Sequence, residues 1–182
     1  MKSILMSIKP KWVHKIISEE KTVEVRKHIP KCALPFKVYI YCTKSDREWK
    51  DPWTTAYESP LGCLFNMSGK VVGEFVCDEI FDISFDNVYG YIGAFDYVDT
   101  GLQSPELHEY AKGKTVYGLH ISDLKIYDKP KELSEFQKPL RCGNFKCTEC
   151  GYFEYYAGVR RRCNLDWSLK RPPQSWCYVE EV

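Results

Sequence analysis

Between residues 3 and 27 the hydrophobic period changes from two to 3.6 and back to two, and no other feature narrows the fold as much. Ser3-Ile4-Leu5-Met6-Ser7-Ile8 reads as a strand. Pro10 then stands at the first position of a helix, where its missing N–H costs nothing. Trp12, Val13, Ile16 and Ile17 make one apolar face against Lys11, His14, Lys15 and Ser18, and the helix is expected to stop near Glu20. Val23 and Val25 then alternate with Thr22, Glu24 and Arg26, the pattern of a half-buried strand over 22–27. With the valines facing the core, Glu24 and Arg26 share the other face, about 7 Å apart along the strand. Lys21 sits at the corner and can turn to either face. An acceptor and two cationic donors around one spot suit a small polar ligand or a phosphate.

The rest of the chain adds many strands and little helix. Phe36-Lys37-Val38-Tyr39-Ile40-Tyr41-Cys42 is rich in aromatic and β-branched residues, as a strand should be. Residues 43–68 read as a long loop carrying Trp49, Trp53 and Tyr57. Residues 70–80 read as one long strand, with Gly73 marking a bend or bulge. Ser104-Pro105-Glu106 opens a short helix through Ala111 that Gly113 ends. Residues 115–121 and 124–127 are expected as a strand pair or one bent strand, with a connector at 129–140 and a closing strand at 175–180. A helix between the first two strands and many short strands after it point to an α+β fold, a small mixed β-barrel with short flanking helices.

With 182 residues, 44% of them hydrophobic and 15% aromatic, the chain can bury a sizeable core as a single domain over 1–182. A net charge of +1 gives no global pull toward a polyanion, so a nucleic-acid reading needs local clustering. No apolar run reaches the length of a membrane helix, and the N-terminus lacks a signal-peptide core. The expected setting is cytoplasmic, with no membrane partner. Nine cysteines in that setting are reduced thiols or metal ligands.

Four of those cysteines are grouped as Cys142-x4-Cys147-x2-Cys150-x12-Cys163. The two-residue gap lets two thiolates face one ion and Gly151 permits a tight turn, so a structural zinc site is the expectation; the first three also match the start of a plant-type iron–sulfur spacing. Cys32, Cys42, Cys63, Cys77 and Cys177 lie in or near apolar strands and read as small buried hydrophobes. Residues 137–171 are read as a Cys-rich insertion before the last strand. Within it, 141–171 holds seven basic residues against three acidic ones, interleaved with aromatics. That composition is expected of a nucleic-acid surface, and equally of a solvated basic loop whose aromatics cover the barrel.

Lys21-x-x-Glu24-x-Arg26 after a short helix resembles the signature of the ASCH domain, a branch of the PUA-like superfamily, whose pattern is Gly-x-Lys-x-x-Glu-x-Arg. Glu19 stands here in the glycine position. The opening Ser7-Ile8-Lys9-Pro10 and the closing stretch Arg171 to Val179 also resemble ASCH-type proteins common in phages and prophages of Gram-positive bacteria. The likeness covers roughly 1–136 and 171–182, as one barrel closed by its last strand. It implies binding of RNA or a modified nucleobase in a cleft lined by the signature residues. One family subgroup hydrolyses N4-acetylcytidine with the lysine and a threonine, which here is replaced by Glu24.

On this reading Lys9, Lys21, Glu24, Arg26 and Tyr41 are the candidate ligand-binding residues. Lys21 and Arg26 would hold a phosphate or carbonyl, and Glu24 would accept from an exocyclic amine. Trp12, Tyr41 or the loop aromatics would stack on a base. The rival is an amidohydrolase acting on N4-acetylcytidine or a related amide, with Glu24 as general base and Lys21 stabilising the oxyanion. A third reading is a protein-interaction adaptor. The plainest account of Glu24 and Arg26 is an exposed ion pair worth about 0–1 kcal/mol.

Overall fold

The computed structural model describes residues 1–44, 56–58, 64–86, 90–92, 100, 104–139, 153–156, 159–163 and 168–181. The first strand, β1 (Ser3–Ile8), is followed by helix α1 (Pro10–Ile17), β2 (Val23–Arg26) and β3 (Phe36–Cys42). β1 and β3 run parallel in register Ile4 to Val38 through Ile8 to Cys42, so α1 and β2 lie on the crossover between them. β6 (Val71–Cys77) then pairs antiparallel with β3, β10 (Ser122–Lys131) with β6, and β14 (Trp176–Tyr178) with the free edge of β1. The result is a mixed five-stranded sheet in the order β10-β6-β3-β1-β14.

Both faces of this sheet are covered, which explains the nearly unbroken apolar runs of β1 and β3. Ile4, Met6 and Ile8 join Val38, Ile40 and Cys42 against Val13 and Ile16 of α1. Leu5, Tyr39 and Tyr41 point the other way, into a second cluster with Tyr127, Phe136, Leu169 and Val179. Each of the fully buried Val13 and Ile16 side chains contributes about 1.5–3 kcal/mol by leaving water. A charge at Val13 is therefore the single change that would detach α1.

A second sheet has the order β2-β9-β7-β8, with β7 (Ile80–Asp86), β8 (Gly90–Ile92) and β9 (Val116–His120). Helix α2 (Ser104–Ala111) packs Leu107 and Ala111 onto its Val25, Ile83 and Val116. Leu119 on its other face enters the first core. Gly118 of β9 has no room for a side chain, because a Cβ there would lie 2.4 Å from the Phe81 ring.

Several expectations need revision. The apolar run 70–80 is two strands: it breaks at Asp78–Glu79, where the chain leaves the first sheet for the second. Gly73 does sit beside a bulge, since Ile40 pairs with Gly73 but Tyr41 with Val71. A Cβ at Gly73 would also lie 2.5 Å from the Lys125 carbonyl. The loop expected at 43–68 contains a hairpin, β4 (Ala56–Glu58) with β5 (Leu64–Asn66); Trp49 and Trp53 lie outside the described residues. The α+β class stands, but among the described residues no ladder joins the two sheets, so closure of a barrel by the last strand is not observed. β14 lies on the edge of β1. β15 (Glu180–Glu181) then pairs with β11 (Phe136–Gln137), which follows a 3₁₀ turn at Leu133–Glu135.

Within 137–171 the hairpin β12 (Phe153–Tyr156) and β13 (Val159–Cys163) pair with each other. Cys142, Cys147 and Cys150 lie outside the described residues, and Cys163 is the last residue of β13. Cys42 and Cys77 are fully buried, and burial pushes both thiols up to about 12. These two behave as the small hydrophobes expected of them, whereas Cys32 and Cys177 are only half-buried and Cys63 lies outside the described residues. No described helix is long and apolar enough to cross a membrane.

Candidate functional site

The site begins with how α1 ends. Ser18 caps the helix through its N–H to the His14 carbonyl, and Glu19 follows with φ of +59°. Its N–H bonds the Ile16 carbonyl, and the Lys21 N–H returns to that of Lys15. This left-handed step is where the ASCH pattern carries glycine, the residue that adopts it without steric cost. Glu19 makes the same turn with a side chain attached. The turn swings the chain from the helix into β2 and delivers Lys21 to the inner side of the corner.

β2 then contributes Glu24 and Arg26 from one face while Val23 and Val25 take the other, as the alternation requires. The charged face is not solvated. Lys21, Glu24 and Arg26 are 3%, 5% and 9% exposed. One Glu24 oxygen lies 2.9 Å from Arg26 Nη2 and the other 3.3 Å from Lys21 Nζ. The surface ion pair is thus replaced by a buried cation–carboxylate–cation cluster, a different energetic object. Removing one partner from such a cluster leaves a charge uncompensated and costs about 3–5 kcal/mol.

The remaining donors are mostly taken up by backbone. Lys21 Nζ donates to the carbonyls of Val23, at 2.6 Å, and Thr100. With Glu24 these are three partners among the described residues, enough for the three N–H bonds. Arg26 Nη2 donates to the Ser7 carbonyl at 2.8 Å, and Nη1 lies 3.4 Å from Ser175 Oγ. Ser7 in turn donates from Oγ to the Pro173 carbonyl and from its N–H to the Ser175 carbonyl. The end of β1 and the segment before β14 therefore close over Arg26. Its Nε is buried with no partner among the described residues.

The cluster floors an open cleft of about 690 Å³ between α1, β2 and α2. Its lining holds Lys9, Lys11, Lys21, Arg26, Lys27, Lys44 and Lys112 against Glu24, Glu106 and Glu109: seven cations, three carboxylates, a formal excess of +4. Two aromatics stand in the walls. Trp12 from α1 has the ammonium of Lys11 4.1 Å and that of Lys21 5.5 Å from its ring. Tyr110 from α2 has Lys27 Nζ 4.9 Å away. Burial pushes the Tyr110 phenol above its ordinary value, opposed by Arg26 and reinforced by Glu24. Lys11 and Glu106, 2.8 Å apart, link the two helices.

The structure thus brings Lys9, Lys21, Glu24 and Arg26 to one cleft, with Trp12 beside them. Tyr41 is elsewhere: it is on the opposite face of the five-stranded sheet, at a second hollow. Sequence reading missed Ser7, Tyr110, Glu106, Glu109, Lys112 and Ser175. None has a local pattern marking it, because α2 and the closing segment meet β2 only through the tertiary fold.

No family model matches the chain, and no curated protein matches it in sequence. Solved structures do. A tyrosine-to-phenylalanine variant of the ASCH protein from Zymomonas mobilis superposes with a TM-score of 0.55 at 18% identity, covering 99% of this chain and 91% of that one. A serine-to-alanine variant gives 0.55 at 17% identity over 98% and 89%. A third structure of that ASCH protein gives 0.50 at 18% identity over 98% and 88%. At such identities the likeness is one of architecture: over nearly its whole length this chain shares the fold of the ASCH protein of Zymomonas mobilis.

Proposed function

We propose that the protein binds RNA or a modified nucleobase in the cleft between α1, β2 and α2. The carrying observation is a buried Lys21–Glu24–Arg26 cluster beneath a wall that adds five further lysines and two aromatics. The volume, about 690 Å³, suits a nucleotide-sized ligand. The cation excess suits phosphate, and Trp12 and Tyr110 offer faces for base stacking, each worth about 1–3 kcal/mol. The same reading follows from the resemblance of Lys21, Glu24 and Arg26 to the ASCH signature.

Binding is favoured over amide hydrolysis by the hydrogen bonds of Lys21. Its three N–H bonds already face Glu24 and two backbone carbonyls, so its ammonium holds the corner of the site together. An oxyanion would have to displace one of those partners. Titration with cytidine 5′-monophosphate and with single-stranded RNA across a salt series tests the reading. Affinity should fall as salt rises, and Arg26→Lys, which removes the planar fork, should weaken it about tenfold. Absence of any salt-dependent affinity for RNA or nucleotide sinks it. Incubation with N4-acetylcytidine addresses the hydrolase, whose turnover must disappear in Lys21→Ala and Glu24→Ala.

A further inference from the structure

The cleft has a neighbour. A second hollow of about 470 Å³ lies beside it, and Thr43 and Lys44, just after β3, line both. The segment after Arg171 also serves both, with Pro172 in the second hollow and Gln174 in the cleft. The two depressions therefore meet at Thr43 and Lys44, which form a common ridge. The Lys44 stem lies flat across Gly69, where a Cβ would come within 2.9 Å of Lys44 Cε. Gly69, at φ +78°, is both the turn that conformation requires and the floor beneath the lysine.

The second hollow also has a definite charge. Its charged lining is Lys44 and Lys170 with no carboxylate, and Leu133 supplies apolar surface above a Tyr41 that is only 3% exposed. Each hollow taken alone is of small-molecule size. Two that share Thr43 and Lys44, both cationic and the first with aromatic walls, match a chain of repeated anionic units.

Building on the cleft reading, we infer that the ligand is a single-stranded polynucleotide that runs from the cleft over the Thr43–Lys44 ridge into the second hollow. One nucleotide is held over Lys21, Glu24 and Arg26. The adjoining nucleotide places its phosphate between Lys44 and Lys170. The free nucleotide is then a fragment of the true ligand.

The test compares cytidine 5′-monophosphate with cytidine oligomers of about 4 and about 8 nucleotides, in ribo and deoxyribo form, by calorimetry at several salt concentrations. The oligomers should bind with a salt dependence steeper by about 0.7 for each additional phosphate contact. Lys170→Gln, at an exposed position, should cut the oligomer-to-monophosphate affinity ratio about fivefold and remove about 0.7 from the oligomer's salt slope. Lys27→Gln, in the cleft alone, should weaken oligomer and monophosphate together. An oligomer advantage no larger than its number of binding registers, with an unchanged slope, overturns the inference and leaves the cleft standing. Loss of both monophosphate and oligomer binding overturns both. A ribo preference identifies RNA as the source; equal binding of the two forms identifies the shared backbone.

Discussion

Glu24 and Glu74 are both carboxylates set beside a lysine, yet they occupy different kinds of place. Glu74, on β6, accepts from Lys37 Nζ at 2.9 Å and from Tyr127 Oη at 2.6 Å, one partner for each oxygen. Burial alone would push its carboxyl up, but the bonds from Lys37 and Tyr127 outweigh that and hold it below the usual carboxylate range. The Tyr127 phenol is pushed the other way, by burial and by Glu74 itself. Charge and hydrogen bonds close on themselves, and Glu74 lines neither hollow. Glu24 is more deeply enclosed, at 7% side-chain exposure against 18%, and lies between two cations. Its cluster keeps a formal +1, an Arg26 Nε with no partner among the described residues, and a cleft. A polar cluster that satisfies itself holds strands together; one with surplus charge beside a cleft is the kind of place where binding sites are found.

The largest expected effect breaks the comparison directly. Glu24→Ala strands two cations in a nearly dry environment and should cost about 3–5 kcal/mol in urea unfolding. Glu74→Ala, whose partners are partly exposed, should cost about 1–2 kcal/mol. Equal losses would erase the distinction. A smaller effect concerns pH. The folded-state pKa of Glu74 lies below its ordinary value of 4.5, so as pH falls the unfolded chain takes up the proton first. The Glu74 contribution is therefore complete above about pH 4.5 and lost as pH falls through the folded pKa. Stability of Glu74→Gln should vary less across that acid window than that of the parent chain. An identical acid profile would remove Glu74 from the account. The smallest effect tests how the corner is built: Glu19→Gly relieves a left-handed residue and should leave stability level or raise it by up to about 1 kcal/mol. A clear loss would mean that the Glu19 side chain does something the backbone does not explain.

Much of the scaffold was legible in the sequence because it rests on local periods. The strand at 3–8, the helix opening at Pro10, the strand at 36–42 and the helix at 104–111 all stand where alternation and caps put them. Lys21, Glu24 and Arg26 were legible as a group, since strand geometry alone puts Glu24 and Arg26 on one face. Their burial was not, because it depends on Ser7 meeting Pro173 and Ser175, and Ser7 and Pro173 stand 166 residues apart in sequence. The break at Asp78–Glu79 was hidden for a related reason. Both flanking runs are strands, and only the partner changes, from β3 to β9. Tyr41 alternates correctly and faces away from the cleft, because parallel pairing of β1 with β3 sends the odd residues of β3 to the far side of the sheet.

Arg26 bonds the carbonyl of residue 7, and residue 7 bonds residues 173 and 175. Synthesis runs from the N-terminus, so a nascent chain can assemble α1, β2 and the first sheet's centre while this seam is still open. Arg26 then lacks its enclosure until the ribosome has passed residue 175. A translation product cut short before that point would carry every signature residue and still present an unsealed site. On the binding reading proposed above, competence arrives late in the life of each molecule, as a mark that translation has run through the closing segment.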